Sequence, residues 1–152
     1  MGYVIAIDIG GTRLRAAAYA PKSQTPVQLE RSQSHAPGEK VFDRLVTLVN
    51  SVWPTDGTVE AIGVSAPGPL DPHTGVVMTT PNIKEWREFP LTDKLTEQFG
   101  LPAFLGNDAN LAGLAEWKFG AGRGHHNVLY LTVSTGVGGG VIIDDRLLQG
   151  HH

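Results

Sequence analysis

Residues 3–19 read Y-V-I-A-I-D-I-G-G-T-R-L-R-A-A-A-Y. Tyr3 to Ile9 is a nearly continuous apolar run rich in β-branched residues, and an acid and two glycines close it. Such a run predicts a central strand buried on both faces. Leu14 to Tyr19 predicts a second strand, close enough after Gly10-Gly11 to form a hairpin, although alanine by itself favours helix.

Outward from this pair, Val27 to Ser34 fits a third, edge-like strand. Val41 to Trp53 carries apolar residues at 41, 42, 45, 46, 48, 49 and 52. That is helical spacing, and Pro54 stops it. Val59 to Ser65 returns to strand character. The loop Ala66-Pro67-Gly68-Pro69-Leu70-Asp71-Pro72 follows, and Asp71 to Gly75 turns into a short strand at 76–78. Leu91 to Phe99 predicts a helix with Gly100 as its stop. Pro102 to Gly106 predicts a short strand, and Ala109 to Phe119 a helix ended by Gly120 to Gly124. Val128 to Val133 and Gly140 to Ile143 predict strands joined by residues 134–139. Three strands joined by short turns, then strands alternating with helices, predict a mixed sheet with helices on both faces.

The composition bounds the function. A chain of 152 residues is long enough for one domain with its own core. Lys plus Arg is 12 and Asp plus Glu is 15, a net charge of −3. That argues against non-specific nucleic-acid binding, which needs a basic face. There is no cysteine, which excludes a disulfide scaffold, a Cys-ligated zinc site and a thiol nucleophile. No apolar run approaches the ~20 residues of a membrane helix. The N-terminus carries an acid and no basic segment, so no signal peptide is expected. The 19 glycines cluster between strand-like runs, as in tight turns that approach a ligand.

Four constellations could carry chemistry. Asp8-Ile9-Gly10-Gly11-Thr12 combines an acid, a hydroxyl and exposed backbone amides that can hold a phosphate, with Asp8 positioning Mg²⁺ through water. An ordinary Gly-Gly hairpin explains the same residues equally well. Ser134-Thr135-Gly136-Val137-Gly138-Gly139-Gly140 is neither a dinucleotide fingerprint nor a P-loop. It reads as a second amide cradle or as a flexible hairpin. Asn107-Asp108-Ala109-Asn110 places an acid where a strand ends and a helix begins. Asp108 is there either an N-cap or a base that takes a proton from a substrate hydroxyl. Ser65 to Pro69, with Pro81-Asn82, could line a polyol pocket or simply punctuate loops. The histidines are weak signals: His125 and His126 are expected in solvent, His35 and His73 are isolated, and none has metal-ligand spacing.

Taken together, D-I-G-G-T (8–12), A-P-G-P-L-D-P-H-T-G (66–75), P-N-I (81–83), N-D-A-N (107–110), G-A-G (120–122) and S-T-G-V-G-G-G (134–140) resemble the ROK family of sugar kinases and related repressors. The resemblance covers essentially the whole chain and lies in the order of the six motifs. It implies an actin-like (ribonuclease H-like) α/β fold with a mixed five-stranded sheet, and ATP and sugar bound between two lobes. By this match Asp8, Gly10, Gly11, Thr12 and Arg13 form the first phosphate loop, and Thr135, Gly136, Val137, Gly138 and Gly139 the second. Asp108 corresponds to the catalytic base and Asn107 to a ligand of the sugar hydroxyls. Asn82 and Gly68 correspond to pocket-lining positions.

The implied activity is ATP-dependent, Mg²⁺-assisted phosphorylation of a hexose, glucose or a close relative, in the cytoplasm. Members often dimerise, which leaves a homodimer open. Family members are much longer and continue into a G-E-x-G-H segment whose Glu and His bind sugar, often with a Cys-rich zinc motif. Residues 1–152 are therefore expected to be the N-terminal lobe of a two-lobed kinase, poorly active alone. The alternatives are a non-catalytic sugar-sensing module and an actin-like assembly protein. With the first strand predicted to begin at residue 3, the repressors' DNA-reading head is not expected.

Overall fold

The computed structural model describes residues 2–80, 82–133 and 136–149. It divides into two compact units, Met1–Gly106 and Asn107–His152.

The first unit contains β1 (Gly2–Ile9), β2 (Arg13–Tyr19), β3 (Gln28–Gln33), α1 (Val41–Ser51), β4 (Thr58–Ala66), β5 (Leu70–Asp71), β6 (Val76–Thr79), β7 (Arg87–Pro90), α2 (Leu91–Phe99) and β8 (Ala103–Asn107). Five strands form a sheet in the order β3-β2-β1-β4-β8, and β5-β6-β7 form a smaller one. β1 pairs antiparallel with β2 and parallel with β4, so the large sheet is mixed, as the sequence predicts. The two-residue strand β5 and the four-residue β7 are not predicted, being too short to show a period.

Burial follows the pleat. Tyr3, Ile5, Ile7 and Ile9 of β1 are buried, whereas Val4, Ala6 and Asp8 stay partly exposed. The expectation of a strand covered on both faces is thus corrected: β1 is central in the sheet, but only its odd face is sealed. Ala16 and Ala18 on β2 are fully buried in the same core, where packing overrides alanine's helical preference. α1 turns Val41, Leu45, Leu48 and Val49 inward, and α2 turns Leu91 and Leu95 into the same cluster. Of the helical cover expected on both faces, α1 and α2 supply one side. Truncating a fully buried leucine such as Leu45 costs about 2–5 kcal/mol. α2 stops where Gly100 takes a left-handed conformation, φ 68°.

The second unit contains α3 (Asp108–Phe119), β9 (Val128–Val133), β10 (Val137–Ile143) and β11 (Arg146–Leu147), with strand order β11-β10-β9. Here the sequence reading needs a second correction. Val137, Gly138 and Gly139 are not loop residues: they pair with Val133, Thr132 and Leu131. α3 packs against Gly138 and Gly140, where a bare backbone leaves it room. A Cβ on Gly140 would lie 3.0 Å from the Ala109 carbonyl oxygen and 3.2 Å from Gly113 Cα. Leu129, Leu131, Val133, Val137 and Ile143 are left exposed. Among the described residues no helix is long and apolar enough to cross a membrane.

Candidate functional site

The β1–β2 connection is a three-residue turn. The Gly10 N–H donates to the Arg13 carbonyl at 2.9 Å and closes it, so that amide is not free for a ligand. The N–H groups of Gly11 and Thr12 donate to no described residue. Neither Gly10 nor Gly11 has a positive φ. Gly11 is required for a different reason: a Cβ there would lie 2.6 Å from Asn82 Cγ and 2.8 Å from Asn82 Cβ. Two of the residues the sequence singles out, 71 positions apart, are therefore in direct contact.

The loop that presents Asn82 is tied down locally. Buried Thr80 accepts the Ile83 N–H at 2.9 Å through its hydroxyl, and fully buried Ile83 anchors the turn. Two residues on, a Glu85 carboxylate oxygen accepts the Val41 N–H at 2.9 Å. It caps α1, whose own N-cap Lys40 offers no acceptor. Pro81 lies outside the described residues. Gly68 follows β4, whose Ser65 pairs with Asp8 in the parallel register. The 10–12 turn and the 66–69 loop therefore leave the sheet at the carboxyl ends of neighbouring strands, the usual place for ligands in α/β sheets.

Asp8 and Arg15 are cross-strand partners, and Arg15 Nη1 donates to Asp8 Oδ2 at 3.0 Å. Both side chains are about half exposed (44% and 50%), so the pair is worth little to stability. It occupies one carboxylate oxygen and leaves Oδ1 unengaged among the described residues. Among the described residues no group of three or more His, Cys, Asp or Glu gathers there as a metal cluster. Asp8 thus fits a single water-mediated contact to Mg²⁺ and not a full ligand set. Arg13 is exposed at the start of β2. Further along, the Asp71 carboxylate accepts the backbone N–H of His73 at 2.8 Å and of Thr74 at 3.4 Å. The His73 bond, helped by Thr74, holds Asp71 below its ordinary value of 3.8.

In the second unit the N-cap of α3 is Asn107, not Asp108. Asn107 Oδ1 accepts from Ala109 N at 3.1 Å and from Asn110 N at 3.3 Å. Asp108 is the first helical residue, exposed, with Oδ1 on the Ala109 N–H at 2.8 Å. Its Oδ2 makes no bond among the described residues. The same arrangement leaves the Asn107 side-chain NH₂ group free to donate. A Cβ on Gly138 would lie 3.0 Å from Ala109 Cβ, so the start of β10 sits beside the residue that follows Asp108. Gly136 has open space around it. Ser134 and Thr135, named for the second phosphate loop, lie outside the described residues.

Two residues that matter to this geometry have no signal in the local sequence. Ser34 and His35 end the β3 segment, and their partners lie 24 and 47 positions away. His125 and His126 are exposed as expected, although His126 Nδ1 lies 2.8 Å from Asp145.

The ROK family model matches residues 4–152. The chain belongs to the ROK family. It is 36% identical over 151 residues to a glucokinase of Streptomyces coelicolor, covering 99% of this chain and 47% of that protein. A ROK glucokinase of Streptomyces griseus, solved with glucose and AMPPNP, superposes with a TM-score of 0.83 at 36% identity, covering 99% of this chain and 47% of that one. A ROK hexokinase of Thermus thermophilus superposes at 0.84 with 39% identity, covering 97% and 49%. The chain thus spans about half the length of these relatives. The expected α/β class with a mixed five-stranded sheet is the fold these kinases share with it.

Proposed function

We propose that these residues are the N-terminal portion of an ATP-dependent kinase that phosphorylates a hexose, glucose or a close relative, with Asp108 as the general base. The observation that carries this reading is the division of labour at the start of α3. Asn107 satisfies the helix amides, so the neighbouring carboxylate is not consumed as a cap and keeps one oxygen free. That oxygen accepts the proton of the attacking sugar hydroxyl as the phosphoryl group is transferred. The Asn107 NH₂ group holds a neighbouring hydroxyl. Asn82 and Gly68 line the sugar side.

On the donor side, the unengaged amides of Gly11 and Thr12, with Arg13, hold phosphate oxygens. Thr135, Gly136, Val137, Gly138 and Gly139 form the second phosphate contact, Val137 to Gly139 from the first residues of β10. Asp8 Oδ1 holds Mg²⁺ through water. ATP use places the reaction in the cytoplasm. The similarity to the Streptomyces griseus enzyme, solved with glucose and AMPPNP, supports both ligands.

The test is glucose-dependent ADP release by a chimera in which residues 1–149 replace the matching half of that enzyme. Turnover by the chimera that falls at least about a hundredfold in Asp108→Ala, with KM for glucose changed little, is the expected result. An active chimera indifferent to Asp108→Ala contradicts the assignment.

A further inference from the structure

Ser34 and His35 close a ring of contacts around the turn and the loop that carry Gly11 and Asn82. Ser34 is fully buried. Its hydroxyl donates to the Gly10 carbonyl at 2.7 Å, and its N–H donates to the Thr12 carbonyl at 2.9 Å. The next residue reaches the other way. His35 Nε2 lies 2.6 Å from the Asn82 carbonyl oxygen. A carbonyl only accepts, so Nε2 carries the proton and His35 donates. The fourth side of the ring is the Asn82 side chain lying against Gly11.

We propose that Ser34 and His35 are positioning residues that set the register between the 10–12 turn and the Asn82 loop. Two adjacent residues grip both loops, which also pack against each other at Gly11. Ser34 takes the carbonyls of the two residues that flank Gly11, and so fixes the peptide planes that carry the Gly11 and Arg13 amides. His35 takes the one carbonyl that fixes where the Asn82 side chain starts. Shifting Asn82 therefore shifts the space available to Gly11, and the reverse. Neither side chain touches a reacting group, and their effect on binding passes through Asn82 and Gly11. This inference rests on the sugar-binding reading only for its effect on ligand affinity; the mechanical coupling stands without it.

The experiment compares His35→Ala, His35→Gln and Ser34→Ala in the 152-residue chain by ¹H–¹⁵N NMR, first without ligand and then with glucose. Loss of one hydrogen bond is worth about three- to tenfold in affinity. His35→Ala is expected to keep a folded, dispersed spectrum. Its Gly10–Arg13 amides shift along with those at 82–84, and its affinity for glucose falls about three- to tenfold. His35→Gln, whose amide can donate to the same carbonyl, recovers both. Gly10–Arg13 amides left in place by His35→Ala overturn the proposal, as does a glucose affinity within twofold of the parent. If Ser34→Ala does not fold, the His35 pair decides alone. If the parent chain shows no response to glucose, the ligand-free spectra still decide the coupling, and the Asp108 variant of the chimera decides the sugar-binding reading.

Discussion

Replacing Gly11 by Ala isolates one steric contact. Gly11 lacks a positive φ, so an alanine there meets no backbone penalty. Such a change would by itself add about 0.4–1 kcal/mol through the unfolded chain. Against this, the new Cβ lies 2.6 Å from Asn82 Cγ and 2.8 Å from Asn82 Cβ. A rotamer change moves Cγ but leaves Cβ, which is fixed to the main chain, at 2.8 Å, so the loop anchored by Ile83 must move. Overpacking of this kind costs about 1–3 kcal/mol. The steric term wins, and Gly11→Ala is expected to lose about 1–2 kcal/mol net. With an m-value of about 2 kcal/mol/M, the urea midpoint falls by about 0.5–1 M.

Two controls bracket this effect. Gly63→Ala, where the added Cβ meets nothing within 4 Å, gains about 0.5–1 kcal/mol. In an Asn82→Gly background, Gly11→Ala loses its penalty, giving a coupling energy of about 1–3 kcal/mol between the two sites. Urea unfolding of the parent, the three single variants and the double variant measures all of this. Gly11→Ala as stable as the parent, or equally costly with and without the Asn82 side chain, refutes the contact as the reason for glycine.

At the start of α3, Asn107→Ala costs about 0.5–2 kcal/mol of stability by uncapping the helix. Asp108→Asn instead leaves hydrogen exchange of α3 unchanged and lowers turnover by about 10²–10⁴; the reverse pattern in unfolding and ADP-release assays would swap the two roles. Gly140→Ala, which meets the Ala109 carbonyl at 3.0 Å and Gly113 Cα at 3.2 Å, costs about 1–3 kcal/mol, because backbone must shift; equal or higher thermal stability would contradict that packing. Asp71 is held below its ordinary value of 3.8, so its turn is fully stabilised above pH 3.8 and loses that contribution as pH falls through the lower folded value. A carbon-detected NMR titration in which Asp71 protonates at or above 3.8 would refute it.

What the sequence revealed depended on range. The hydrophobic pattern of Tyr3–Ile9, the spacing of Val41–Val52 and the Gly100 stop are local, and the elements lie where they predict. The motif order led to the family that the chain matches over residues 4–152. The failures were of two kinds. Glycines 138–140 look like a loop because a run of glycine carries no period. They are strand because they pair with Thr132, Leu131 and Tyr130, and the bare backbones of Gly138 and Gly140 admit α3, a fact that belongs to residues 109–113. Asn107 and Asp108 are both good N-caps by composition, and only the hydrogen bonds from Ala109 and Asn110 separate them. Ser34, His35 and Glu85 act on partners 24 to 47 residues away, beyond any motif spacing. The contact of Gly11 with Asn82 joins two motifs that the sequence could only place in order.

The most direct test of the central claim is titration of the chimera that carries residues 1–149 with glucose, and separately with AMPPNP and Mg²⁺, followed by ¹H–¹⁵N NMR. The account predicts that glucose moves the Asn82, Asn107 and Asp108 resonances, and that the nucleotide analogue moves the Gly11 and Thr12 amides. A folded spectrum in which neither ligand moves these residues, or in which both act only elsewhere, would contradict it.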